Sequence, residues 1–213
     1  MERPKIYKRK ITNDWQKYCP ELSKLRMLDI DNRVDPLVIG FYLQIIGDGT
    51  IYMPLYKVGN LYSHYSVLPS SLEIEGRSMD MQMHEIYSEQ IAQQLIQKAY
   101  IPLQGEVTFE DVKNGYERYF KNPNKGTIVE YEDYVYISSW TRKKELFDNA
   151  LHTVYNELKS WPEERYFVRD GGFKNWMLEL EKKASNHEVL EANYRMKFEK
   201  YKIEKLPERP FCF

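Results

Sequence analysis

The spacing of apolar and polar positions changes along the chain, and each change marks an element. Leu37–Ile46 (LVIGFYLQII) and residues 50–58 (TIYMPLYKV) are β-branched and aromatic runs separated by Gly47-Asp48-Gly49. Two such runs joined by a short loop with φ-permissive glycines predict an antiparallel hairpin. Pro54 has no N–H to give to a ladder, so the second run is expected to be an edge strand or to carry a bulge. Ahead of the hairpin, Leu25, Met27, Leu28 and Ile30 suggest a strand over 24–30, and residues 29–36, rich in Asp and Asn and ending in Pro36, read as a turn. After it, Tyr65, Val67, Leu68, Leu72 and Ile74 suggest one more short strand, interrupted by Pro69.

The period then lengthens. Met83, Ile86, Tyr87, Ile91, Leu95, Ile96 and Ala99 recur at helical spacing, which predicts a helix from a Ser78 cap to about residue 100, ended by Pro102 and Gly105. Thr108 followed three residues on by Asp111 resembles a capping box and precedes Val112, Tyr116, Tyr119 and Phe120, so a second helix is expected there. Residues 127–140 (TIVEYEDYVYISSW) are dense in β formers and read as a strand, or as a tight hairpin about Glu132-Asp133. Residues 144–161 form the strongest amphipathic pattern, with Leu146, Phe147, Ala150, Leu151, Val154, Tyr155 and Leu158 on one face and Pro162 closing it. A further helix is expected after Asp170-Gly171-Gly172, carrying Phe173, Trp176, Met177 and Leu180, and a short one over 12–16, stopped by Pro20. Residues 193–206 fit the strand and helix periods equally well.

Pro, Asn and Gly cluster at 121–126 without an apolar residue. The chain is therefore read as one domain over 1–213, with two lobes, 11–122 and 127–206, joined by the 121–126 loop as the variant of that reading. The fold class is α+β: a mainly antiparallel sheet with helices packed on one face.

Composition narrows the function classes. In 213 residues, 31 Lys+Arg face 32 Asp+Glu, so a chain-wide basic footprint for nucleic acid is absent and nucleic acid is not the expected partner. Lys5, Tyr7, Lys8, Arg9 and Lys10 form a local basic, aromatic-bearing arm that could track a nucleic-acid backbone, but a frayed, solvated terminus explains it better. At 42% hydrophobic and 30% charged, the sequence belongs to neither the disordered nor the membrane-spanning classes. No apolar segment of leader length follows the basic start, so a cytoplasmic location is expected. The two cysteines, Cys19 and Cys212, lack any metal or redox spacing and are expected to be reduced thiols.

Candidate chemistry is sparse. His64, His84, His152 and His187 include no pair at three- or four-residue spacing. In His187-Glu188-Val189-Leu190-Glu191 a glutamate stands where a zinc helix needs its second histidine, and in 29–35 Arg33 and Val34 break a calcium loop. Phosphate-cradle and nucleophile-elbow motifs are absent, and Glu157-Leu158-Lys159 falls on a helix face as solvated charge. No cofactor and no metal are expected.

What remains is an aromatic bias, 15% of the chain, with 18 Tyr against 9 Phe. Tyrosine gives contact area at low entropic cost, which points to a non-enzymatic protein that binds another protein and occludes it, as a toxin-neutralising immunity-type inhibitor does. The expected contact residues are Asp48, Tyr56, Tyr62, His64 and Tyr65. The alternative is an enzyme assembled from distant residues, with His64 or His84 as general base beside Asp48 or Glu85. A homodimer stays open as a use of the same aromatic surface.

Overall fold

The computed structural model of the protein describes residues 5–122, 127–162 and 171–212. Five strands, β1 (Ser23–Arg26), β2 (Asp29–Val34), β3 (Leu37–Ile46), β4 (Ile51–Asn60) and β5 (Ser70–Glu75), lie side by side in chain order as an antiparallel meander. The 47–49 loop joins β3 to β4 as expected, with Gly47 at φ 62° and Gly49 at φ 89°. Strand periodicity sends Ile30, Val34, Leu37, Ile39, Phe41, Leu43, Tyr52, Tyr56 and Val58 to one face, where all are buried.

Helices α1 (Lys8–Tyr18), α2 (Met81–Lys98), α3 (Phe109–Phe120), α4 (Ile128–Trp140), α5 (Lys144–Leu158), α6 (Phe173–Ser185) and α7 (His187–Tyr201) all contribute to the apolar cluster on that face. Trp15 of α1, Ala92 of α2 and Tyr116 of α3 meet residues 134–137 of α4 in it, so residues before and after positions 121–126 share one core. A 3₁₀ turn, Ile203–Lys205, follows α7, and Phe211–Cys212 pairs in parallel with Val107–Thr108. The fold is α+β, with the helical layer on one face of the sheet. Among the described residues no helix is long and apolar enough to cross a membrane.

Several sequence expectations are corrected. Residues 29–34 are a strand and not a turn: β2 pairs with β3 from Asp29↔Tyr42 to Val34↔Leu37, and the turn is confined to Asp35-Pro36. Residues 128–140 are helix α4, neither strand nor hairpin. The Thr127 hydroxyl accepts from Val129 N at 3.2 Å, and the Glu130 carboxylate accepts from Thr127 N at 2.7 Å, a complete capping box. α4 shows no amphipathic period because every residue from Glu130 to Ser139 is buried. The cap of α2 is Asp80, which accepts from Met83 N at 2.9 Å, and not Ser78. α1 begins at Lys8, ahead of Thr12, and 193–201 is helical. Pro54 sits in a strand with neighbours on both sides, where its carbonyl accepts from Gly76 N at 2.8 Å; the β4–β5 irregularity lies further on, between Tyr56 and Val58.

Candidate functional site

The second face of the sheet carries the chemistry. Opposite the apolar positions, β2 presents Asp29 and Asp31, β3 presents Gly40 and Tyr42, and β4 presents Leu55 and Lys57, with Asp31, Gly40 and Lys57 in one lateral row. Gly40 is required there: a Cβ on it would lie 2.1 Å from Ile30 O and 2.6 Å from Asp31 Oδ1. Across this bare position the Lys57 side chain reaches Asp31 Oδ1 at 2.9 Å and Asp29 Oδ1 at 3.0 Å. Arg26 Nε donates to Asp29 Oδ2 at 2.8 Å.

Both carboxylates are buried, and the cluster holds them in different states. Burial pushes Asp31 up; Lys57 pulls it back and the Asp29 charge raises it again, to about 7. For Asp29 burial also raises the pKa, but Lys57, Asp31 and Arg26 together outweigh it and hold the carboxyl below its ordinary value. Burial disfavours the charge of Lys57, yet the two aspartates more than restore it, and its pKa is raised. A lysine held charged in this way is not a nucleophilic amine.

Above this cluster opens a cleft of about 670 Å³. Leu25, Tyr42, Leu55 and Leu68 supply apolar lining, and Gly59, Pro69 and Ser70 extend it toward β5. Lys200, Lys202 and Lys205 reach its rim from the end of α7 and the turn beyond, where Lys202 takes the left-handed conformation (φ 55°) that redirects the chain. That turn is anchored by a second apolar cluster, Val38, Leu61, Ile203 and Leu206, with Phe198 and Tyr201 packed against it. Among the described residues the lining holds five cations, Arg26, Lys57 and the three rim lysines, against Asp29 and Glu73; with Asp31 beneath Lys57 the floor is balanced, so the excess of positive charge sits at the rim.

The residues expected from sequence lie elsewhere and do not form one surface. Asp48 is exposed at the hairpin tip, where Oδ1 accepts from Thr50 N at 3.1 Å and Thr50 Oγ1 at 2.7 Å. Tyr56 is buried in the core, its hydroxyl donating to Ile101 O at 3.2 Å and accepting from Ile101 N at 3.1 Å, so it offers no contact surface. Tyr62 is buried too, its hydroxyl 3.0 Å from His187 Nδ1. His64 and Tyr65 are half-buried beside α4: His64 Nδ1 is 2.6 Å from Tyr136 OH, and Tyr65 OH donates to Glu132. Tyr62, His64 and Tyr65 do come together in the loop after β4, pinned by Asn193 and Lys197 of α7, while Asp48 lies at the opposite end of that strand.

The general-base candidates are equally enclosed. His84 is buried, with Nδ1 2.7 Å from Tyr52 OH and Nε2 3.2 Å from Asp14 Oδ2, and Tyr52 OH accepts from Trp15 Nε1 at 3.0 Å. Glu85 pairs with Lys10 instead, at 3.0 Å. Burial lowers His64 to about 4, with Lys183 and Lys197 adding to it, which leaves its ring neutral near pH 7. Among the described residues no group of three or more His, Cys, Asp or Glu side chains could hold a metal ion, and the two cysteines are unpaired.

Sequence reasoning missed Asp29, Asp31 and Lys57. Their signal is the period of two in Asp29-Ile30-Asp31, which the Asp and Asn content of the segment concealed. No protein family, curated protein or solved structure matches the chain.

Proposed function

We propose that the protein is a non-enzymatic binding protein that occludes a partner protein, and that it does so by taking an acidic segment of that partner into the cleft over Lys57. The excess of cations in a concave, partly apolar site carries this reading. A cleft of this kind attracts anions while its apolar lining desolvates the contact, and a cationic rim speeds and selects encounter with a negatively charged partner. The rim lysines sit on a turn fixed by its own apolar cluster, so the backbone that carries them needs little ordering on binding. Inhibition of a toxin or another enzyme by covering its surface, in the cytoplasm, is the activity this reading describes. The aromatic content contributes mainly as core and as hydrogen-bonded tyrosines, with Tyr42 and Tyr201 left to line the cleft.

The test is parallel affinity capture with the wild type and with K200E/K202E/K205E, the eluates sized by mass photometry. The reading expects an acidic protein at fixed stoichiometry on the wild type, lost on the variant and weakened by salt. Retention of the same partner by the variant, or recovery of a homodimer alone, overturns it.

A further inference from the structure

We infer that the cleft is a proton-linked carboxylate site, in which the Lys57 ammonium receives a carboxylate of the acidic segment and a proton on Asp31 sets how strongly it does so. The inference rests on the cleft being the binding site.

The geometry supplies the coupling. Lys57 Nζ is shared between Asp31 Oδ1 at 2.9 Å and Asp29 Oδ1 at 3.0 Å, and Asp29 is shared in turn with Arg26. With both aspartates ionised, the charges of Lys57 and Arg26 are fully matched and the floor of the cleft is neutral. With a proton on Asp31 the same four groups carry one net positive charge, and the ammonium, held by one ionised aspartate instead of two, attracts an anion above it more strongly. Asp31 Oδ2 is buried and has no hydrogen-bond partner among the described residues, and burial of an unpartnered carboxylate oxygen favours the neutral acid. Occupancy and protonation therefore favour each other, because an anion above Lys57 raises the affinity of Asp31 for its proton.

The charged and titratable groups that line the cleft above this cluster are Arg26 from β1, Asp29 from β2, Tyr42 from β3, Lys57 from β4, Glu73 from β5, Lys200 and Tyr201 from α7, and Lys202 and Lys205 from the turn. Among the described residues no histidine lines the cleft. Burial raises Asp31 to about 7, which puts its change of charge between about pH 6 and pH 8.5. The ligand chemistry that fits is a carboxylate adjoining apolar groups, as in a glutamate-rich peptide with leucines, which meets the ammonium while its apolar part covers Leu25, Leu55 and Leu68.

The probe is a rhodamine-labelled peptide of alternating glutamate and leucine, titrated by fluorescence anisotropy at fixed ionic strength from about pH 6 to pH 8.5, a range in which its own carboxylates stay ionised. For the wild type, affinity falls on the order of tenfold across the range, as expected for linkage to one proton. Asp31→Asn, which mimics the protonated side chain without changing its shape, keeps the low-pH affinity throughout. A wild-type affinity that is flat with pH, or an Asp31→Asn protein that still loses affinity with rising pH, overturns the proton linkage while leaving the cleft as a binding site. No binding at any pH, or binding unchanged in K200E/K202E/K205E, overturns the cleft itself.

Discussion

Lys57→Met isolates the ion cluster under the cleft. Methionine keeps the volume of the stem but cannot donate, so Asp29 and Asp31, both essentially without solvent contact, lose the charge they share at 3.0 and 2.9 Å. Removing one partner of a buried pair costs about 3–5 kcal/mol, because the remaining charge has neither water nor counter-ion. The size of the loss depends on pH in a direction fixed by the structure. Asp31, raised to about 7, holds a proton in the folded state that the unfolded chain releases near its ordinary value; its contribution to stability is present at low pH and fades as pH climbs to about 7. Without Lys57, Asp29 moves the same way, since burial raises that carboxyl and only Asp31 and Arg26 remain to oppose it. The folded variant then binds one proton more than the wild type, and each such proton changes stability by up to about 1.4 kcal/mol per pH unit. Urea unfolding at two pH values reads the result: a deficit of about 3–5 kcal/mol near pH 8 that shrinks by about 2 kcal/mol near pH 5. A deficit equal at the two pH values, or below about 1 kcal/mol at both, refutes the cluster as drawn.

Other parts of the fold make separate predictions. Thr127→Ala removes one half of the α4 capping box and lowers stability by about 1 kcal/mol in thermal or urea unfolding; an unchanged midpoint contradicts the assigned cap. Lys197 is buried and donates to Leu61 O, Ser63 O and Ser63 Oγ, and burial lowers its pKa to about 8. The cost of burying that charge is full below about pH 8 and is relieved as pH rises toward 10.5, so the stability of the wild type relative to Lys197→Met grows by about 2 kcal/mol from pH 7.5 to pH 9.5; a constant difference argues against it. Burial pushes the Cys19 thiol up to about 12, whereas Cys212 is only half-buried, so a thiol reagent modifies Cys212 in the native protein and both cysteines only after denaturation. Equal native rates would place Cys19 outside the core.

The fold was legible wherever a single period ran without a competing signal. Leu37–Ile46 with its glycine loop, the Thr108-Asp111 box and the Lys144–Leu158 stripe each appear where the pattern places them. Reading failed where burial removed the contrast that periodicity depends on. Residues 128–140 lie among other elements on all sides, so aromatic and β-branched residues there report a helix's buried surroundings instead of a strand, and only the Thr127-x-x-Glu130 spacing reveals its start. In 29–34 the error had the opposite origin, since Asp29, Asp31 and Arg33 suggest a turn by composition yet fall on one face of a central strand. The candidate site was hidden for the same reason. Its cations come from positions 26, 57 and 200–205, which no local window joins, and its aspartates read as turn residues until the register of β2 with β3 is known. The tyrosines that composition brought forward are largely consumed by the core: Tyr56 and Tyr62 are buried and hydrogen-bonded.

The central claim is that the cleft over Lys57 holds an acidic segment of a partner protein. Anisotropy titration of the glutamate–leucine probe against the wild type and K200E/K202E/K205E, with both proteins first matched by their urea unfolding curves, tests it most directly. The account predicts saturable, salt-sensitive binding to the wild type that the charge-reversed protein loses by at least about tenfold, since three rim charges change sign within reach of the ligand. Equal binding by two equally stable proteins would contradict it.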